Sequence, residues 1–333
     1  MAAYTTIDDP EAYFQVRAYS GTGSSLAVTL DGDTDMQPDL VWIKNRGTTN
    51  NHEAFDSVRG ATKTLYPDTN DEEYTNATGL TAFGSDGFTV GAGGALNASG
   101  NNHVAWCWKE SATAGFDIVA YTGASGDQTF AHSLGVAPDM YIVKERGNAN
   151  SWVVNHKSLT NQTGYYLLLN STDAQATDSW FNATAPTSSV VSANDGDSPV
   201  NRDGGTYIMY LFAGKQGFSK FGAYTGNGDA DGPFVYTGFK PAVVIMKCSS
   251  DLGTPWLIWD NKRPGHNVTN LRLRPSTNAA EDTSTADPID LLSNGFKCRG
   301  TNDDSNKSGS TYIYIAFAEA PFVNSNGGPC NAR

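Results

Sequence analysis

The sequence predicts an all-β protein made of three tandem antiparallel β-sandwich domains, jelly-roll-like and related by an internal repeat. Three observations predict it. Glycine is abundant, at 35 residues, and with many Thr, Ser, Asn and Asp it places tight turns between short segments. Hydrophobic residues reach only 39%, yet 15 Tyr, 15 Phe and 7 Trp supply core anchors that a disordered chain lacks. Finally, four landmarks recur three times in one order, about 100 residues apart.

The first landmark is an aromatic-led strand ending in Tyr and a Gly turn: residues 14–21, 116–123 and 218–226, with Tyr19, Tyr121 and Tyr224 spaced by 102 and 103. The second is a proline followed six residues later by lysine across an apolar run: Pro38 to Lys44, Pro138 to Lys144, Pro241 to Lys247. Proline suits the first residue of a strand, where no ladder donor is needed. The third is an aromatic-rich strand closing on a polar turn: residues 54–59, 152–157 and 256–263. The fourth closes each copy: residues 103–108, 207–212 and 312–317. Ser85 to Phe88 (Ser-Asp-Gly-Phe) is echoed at Ser293 to Phe296 (Ser-Asn-Gly-Phe), and the second copy lacks both this feature and the Asn-x-Ser-Gly of residues 97–100.

Solenoid and propeller repeats run about 20–50 residues. A period near 100 matches a whole sandwich with its own core. The chain therefore divides into an N-terminal arm at 1–13, sandwiches at 14–110, 114–214 and 217–320, and a tail at 321–333. Connectors this short predict domains that touch.

Net charge is −13 with Lys and Arg scattered along the chain, which argues against nucleic acid and anionic membranes as partners and fits a soluble surface. No stretch approaches the roughly 18 apolar residues of a membrane helix, and residues 1–10 have no signal-peptide pattern, so synthesis in a cytoplasm is expected. Cys107, Cys248, Cys298 and Cys330 show no metal-type spacing; Cys248 and Cys298 share a copy, and buried thiols are the expected state. No cofactor is expected.

Asp31, Asp33 and Asp35 have the alternate spacing that opens a calcium loop, without its glycine and distal glutamate; with Asp195, Asp197, Asp229 and Asp231 they read as solvated turns. The five histidines fall in no nucleophile–base pattern, so no catalytic residue is assigned. Aromatic residues near loops can stack on sugar rings. Trp180, Trp259, Asp260 and Arg263 form the candidate glycan- or receptor-binding set, whereas Trp152 and Trp256, which align, are assigned to the core.

Several segments carry a family resemblance: residues 224–228, 240–247, 85–91 with 97–100 and 104–108, and 312–322, together spanning about residues 14–323. The repeat resembles the tandem domain of virion structural proteins of tailed bacteriophages, especially those of marine bacteria and cyanobacteria. The resemblance implies a non-enzymatic protein on the particle exterior, a tail fibre or related appendage contacting the host. It implies tethering to other virion proteins through the N-terminal arm, homotrimeric assembly, and host surface polysaccharide as a partner. A capsid decoration protein and a polysaccharide-binding or depolymerising tail protein are the alternatives. Sites are expected where the copies differ: the loops at 55–97, 159–201 and 264–289, and the chain ends.

Overall fold

The computed structural model describes residues 3–181, 183–194, 199–264 and 266–330, and is all-β with several antiparallel sheets. Asp195 and Asp197 lie outside the described residues.

The four landmarks are the four strands of an inner sheet in each copy. In the first copy the order across the sheet is Phe14–Ser20, Asn102–Trp108, Leu40–Asn45, Glu53–Asp56. The second repeats it as Phe116–Thr122, Thr206–Phe212, Met140–Glu145, Val153–His156, and adds Tyr165–Leu168 and Ala176–Thr177. The third repeats it as Ser219–Thr225, Thr311–Pro321, Phe239–Cys248, Leu257–Asp260. A smaller outer sheet accompanies each: Leu26–Thr29 with Gly87–Val90 and Leu80–Gly84, Gln128–Ala131 with Val190–Ala193, and Phe234–Tyr236 with Gly295–Cys298 and Ile289–Leu292. Pro241 departs from the strand-start reading: it sits inside a long strand, at a register shift opposite Ala318, where a bulge excuses its missing donor.

Both faces of each inner sheet are buried, which is why these strands read as unbroken apolar runs. Side chains alternate between faces. Val41, Ile43, Ala105 and Cys107 pack against Val28 and Phe88 of the outer sheet. Their neighbours Leu40, Trp42, Trp106 and Trp108 turn the other way, into a cluster that includes Met140, Ile142, Tyr210 and Phe212 of the second copy and Val243, Ile245, Ile315 and Phe317 of the third. The first and second copies thus each keep an inter-sheet core of their own, and all three also gather around a shared one instead of standing in a row. Phe317 sits at the junction, its ring 5.0 Å from Phe14, 5.8 Å from Trp108 and 6.0 Å from Phe212. A cavity of about 40 Å³ remains among these side chains, with an apolar lining that gives a water no partner.

The chain ends complete the packing. Ile7 is buried in the shared core, the Tyr4 hydroxyl donates to the Gly238 carbonyl at 2.7 Å, and Asp8 accepts from the main chain of Ser325 at 2.6 Å. The arm is folded against the third copy and meets the C-terminal segment there.

One polar device recurs at the opposite strand ends. Tyr19 stacks on His103, Tyr121 on Tyr207 and Tyr224 on Tyr312, with centroids 5.0, 4.8 and 5.0 Å apart. The three tyrosine hydroxyls donate to the carbonyls of Leu96, Val200 and Ser305. Beside them, buried Asn97 and Asn306 end four-residue helices, Gly94–Asn97 and Asp303–Asn306, too short to leave a helical period in the sequence. Their amide oxygens accept from the main chain of Thr22 and Asn227 at 2.7 and 2.9 Å. Asn201 does the same for Ala124 at 3.1 Å, so the second copy keeps the asparagine in an Asn-Arg-Asp-Gly version of the motif. The register also puts Val191 opposite Phe130, where Phe88 opposes Val28; the second copy replaces the Phe of Ser-Asp-Gly-Phe and does not lose the position. Gly21 and Gly226 allow this approach: a Cβ there would lie 2.2 Å from the carbonyl oxygens of Ala98 and Lys307.

Because one core serves three copies, unfolding is expected as one cooperative transition. Phe317→Ala should destabilise the whole chain by about 3–5 kcal/mol, the usual cost of emptying a buried aromatic site. Circular dichroism and tryptophan emission should then report the same lowered midpoint. Separate melting of the first two copies in this variant would contradict the shared core.

Candidate functional site

The surfaces between copies hold the densest polar chemistry, and two of the four residues singled out as glycan contacts, Asp260 and Arg263, belong to it. Asp260 and Arg263 close the third copy's polar turn, where the chain reverses after Leu257–Asp260. The Arg263 guanidinium donates to Asp260 at 2.7 Å, to Glu281 at 3.0 Å and to the Ile258 carbonyl at 2.9 Å, and its carbon lies 5.9 Å over the Trp106 ring of the first copy. Trp106 Nε1 donates to Asp260 at 3.2 Å, and Glu281 pairs across the seam with Arg46 at 2.7 Å.

The same arrangement joins the first copy to the second. Arg59 pairs with Asp56 at 2.5 Å and Glu73 at 3.1 Å, the Tyr210 hydroxyl donates to Asp56 at 2.7 Å, and Glu73 pairs with Arg146 at 2.9 Å. Burial pushes Glu73 and Glu281 up, but the two guanidiniums around each outweigh it and hold both carboxyls below their ordinary value. Between the second and third copies the pattern changes. His156, Leu159 and Gln175 stand where the other copies have Asp, Arg and Glu, and Ile315 replaces the donor ring. Burial holds His156 down to about 4, and its Nδ1 accepts from Ser158 N at 3.1 Å.

Asp260 and the Arg263 side chain are therefore enclosed, and Trp259 is fully buried at the position that Phe55 fills between the sheets of the first copy. None of the three can face a glycan: their repeat-specific roles lie inside the fold. Trp180 is half-buried against Tyr166, with centroids 4.2 Å apart, and is the member of the set that retains a surface. Trp152 and Trp256 are buried, as expected, and their indoles donate across the seams to the Tyr66 and Leu168 carbonyls at 2.8 and 2.9 Å.

A second repeated feature is a buried lysine. Lys44, Lys144 and Lys247 are inaccessible and donate to the carbonyls of Asn45, Glu145 and Cys248 at 2.8, 2.7 and 2.8 Å. Lys144 and Lys247 also reach Asn70 and Thr172 of the preceding copy. Burial lowers each ammonium to about 8. These lysines tie loops together and contact no cleft among the described residues. The acidic turns are likewise spoken for: Asp31 pairs with Arg17 and Lys262, and Asp231 with Lys297. The four cysteines are free thiols, three of them buried.

Among the accessible clefts of the described residues, two lie between copies. One, between the first and second copies, is lined by Tyr66, Tyr74, Asp71, Glu72 and Asn148; the two tyrosine rings are 5.4 Å apart and their hydroxyls 2.6 Å. The other, between the second and third, is lined by Tyr4, Lys157, Lys215, Lys220 and Tyr236. The residue-by-residue reading missed both. The available signal was departure from the repeat: Tyr66 and Tyr74 are Leu168 and Ala176 in the second copy, and an Arg274–Asp282 ion pair in the third.

Arg263→Ala should cost about 3–5 kcal/mol, since it strands the buried Asp260 carboxylate. Arg17→Ala, at a half-exposed pair, should cost at most about 1 kcal/mol. Denaturant unfolding of the two variants measures the difference. The pH response is also specified. A histidine held at about 4 in the fold and titrating near 6.5 when unfolded leaves the unfolded chain with more bound protons between those values, so stability falls on acidification through that window. Glu53, raised by burial to about 8, works in the opposite sense, stabilising on acidification from about 8 down to its ordinary value. His156→Asn keeps an acceptor for Ser158 N and should flatten the fall of Tm between pH 6.5 and 4.5; an unchanged slope would mean that His156 ionises within the fold.

No curated protein and no solved structure matches the chain. One family model does, described as a domain of unknown function, DUF7483, and it spans residues 9–321, taking all three copies as one unit. With nearly the whole chain inside that match, the protein belongs to the DUF7483 family.

Proposed function

We propose that the protein is a non-enzymatic structural component of a tailed-phage virion, on the particle exterior, acting as a tail fibre or related appendage in host-surface attachment. In this reading it consists of three repeated sandwich units gathered about one core. The observation that carries it is how the repeated polar residues are used. The asparagines spend their hydrogen bonds on closing loops within each copy, Lys144, Lys247 and the Asp–Arg networks spend theirs on loops and on a neighbouring copy, as a scaffold demands, and two accessible clefts fall where the copies differ. That division fits the phage-type repeat resemblance of residues 14–323.

Attachment to other virion proteins would use the edge where the two chain ends meet, through the outward side of the arm, since residues such as Ile7 are held inside. Copies of the chain would assemble as a homotrimer. Host surface polysaccharide is the proposed partner at the non-repeating clefts, and Trp180 offers a further aromatic surface.

Gold-labelled antibodies against the protein should decorate the tails of intact particles, and purified protein should scatter light as a trimer. Labelling confined to heads would replace the reading with a capsid decoration protein. Release of reducing ends from host capsule or lipopolysaccharide would replace it with a depolymerase.

A further inference from the structure

The cleft between the second and third copies gathers positive charge on a chain of net charge −13. Lys157 pairs with Asp139 at 3.0 Å, and that carboxylate is the one acidic side chain in the lining. Lys215 and Lys220 have no carboxylate partner among the described residues. Lys220 donates to the Tyr236 carbonyl at 2.7 Å and its ammonium stands 5.1 Å from the Tyr236 ring centre. Burial, and then the neighbouring Lys157 charge, depress the Lys220 ammonium. The cleft volume is about 320 Å³, within the range of small-ligand sites.

Beside the lysines lies an aromatic edge outside the core, where the Tyr236 hydroxyl meets that of Tyr4 at 3.2 Å. Phe234 and Tyr236 point outward from an edge strand and are 46% and 47% exposed. The strand registers identify their counterparts as Ala27 and Thr29 in the first copy and Thr129 and Ala131 in the second. The fold therefore needs only small residues here, and the third copy alone carries two rings, about 6.6 Å apart along the strand. Exposed ring faces bind the C–H faces of sugars, and unpaired ammoniums bind carboxylates. Neither group alone selects a ligand; together they select one that has both features.

We propose that the cleft formed by Tyr4, Lys157, Lys215, Lys220 and Tyr236, extended by Phe234, binds a carboxylate-bearing oligosaccharide, sugar faces on the rings and carboxylates on the lysines. The inference rests on the attachment reading for its biological sense and gives it a ligand class. Its test uses the purified chain, so its failure is separate from that of particle labelling.

Calorimetric titration of the full chain with hexagalacturonate and with an oligosialic acid should show saturable binding of at least one. Maltohexaose, uncharged, should bind at least about tenfold more weakly. Tyr236→Ala and Lys220→Gln should each weaken binding about tenfold, with thermal midpoints lowered only slightly because each gives up only contacts outside the core. Raising NaCl from about 50 to about 500 mM should weaken it further. Thr129→Ala, at the counterpart of Phe234 in the second copy, should change nothing. No saturable binding of either acidic probe, or equal affinity in the Tyr236 and Lys220 variants, overturns the proposal. Loss of self-association in Phe234→Ala without saccharide binding overturns it too, and assigns the surface to a protein contact.

Discussion

The structure depends on inner sheets that are buried on both faces. A strand such as Leu40–Asn45 commits alternate residues to two different cores, Val41 and Ile43 to its own outer sheet and Leu40 and Trp42 to the core shared by all three copies. Removing a sheet from water on both sides roughly doubles the apolar area that each strand contributes, at about 25 cal/mol per Å². It also makes each copy depend on the other two, because a single copy would leave a face bearing Trp42, Trp106 and Trp108 in water. The closed arrangement is thus a consequence of where those large side chains point.

Burial of that kind sets a problem for polar groups, and the seams show how it is met. Asp56 and Asp260 are each matched by an Arg three residues on and by a ring donor from a neighbouring copy, and each of those guanidiniums is completed by a glutamate that reaches a second arginine across the seam. Two of the three seams use this network; the third uses His156 and the main chain. That seam is where Lys215 and Lys220 line a cleft with no carboxylate partner among the described residues.

A repeat of this type separates scaffold from function in a way that can be checked position by position. Where all three copies hold the same residue, as at Lys44, Lys144 and Lys247 or at Asn97, Asn201 and Asn306, the side chain closes a loop. Where one copy departs toward a large exposed side chain, as at Phe234 and Tyr236, the core does not require it. The arithmetic of the repeat exposes such positions, but only once the registers align residues that the variable loops had put out of step.

The sequence by itself determined the all-β class, the threefold repetition and the four strands of each inner sheet, because apolar runs and turn residues are local signals that survive drift. It also marked Trp152 and Trp256 as core by their alignment. It could not tell which face of a doubly buried strand meets which core, since both faces are apolar, and so the shared core was invisible. It presented Trp259, Asp260 and Arg263 as a sugar site because aromatic, acid and base side by side look alike whether they face solvent or a neighbouring copy. And it showed lysines scattered at 157, 215 and 220 that only the closing of the second copy against the third brings into one cleft. Spacing along a chain carries no information on which sheets come to face each other, and the clefts between copies are made there.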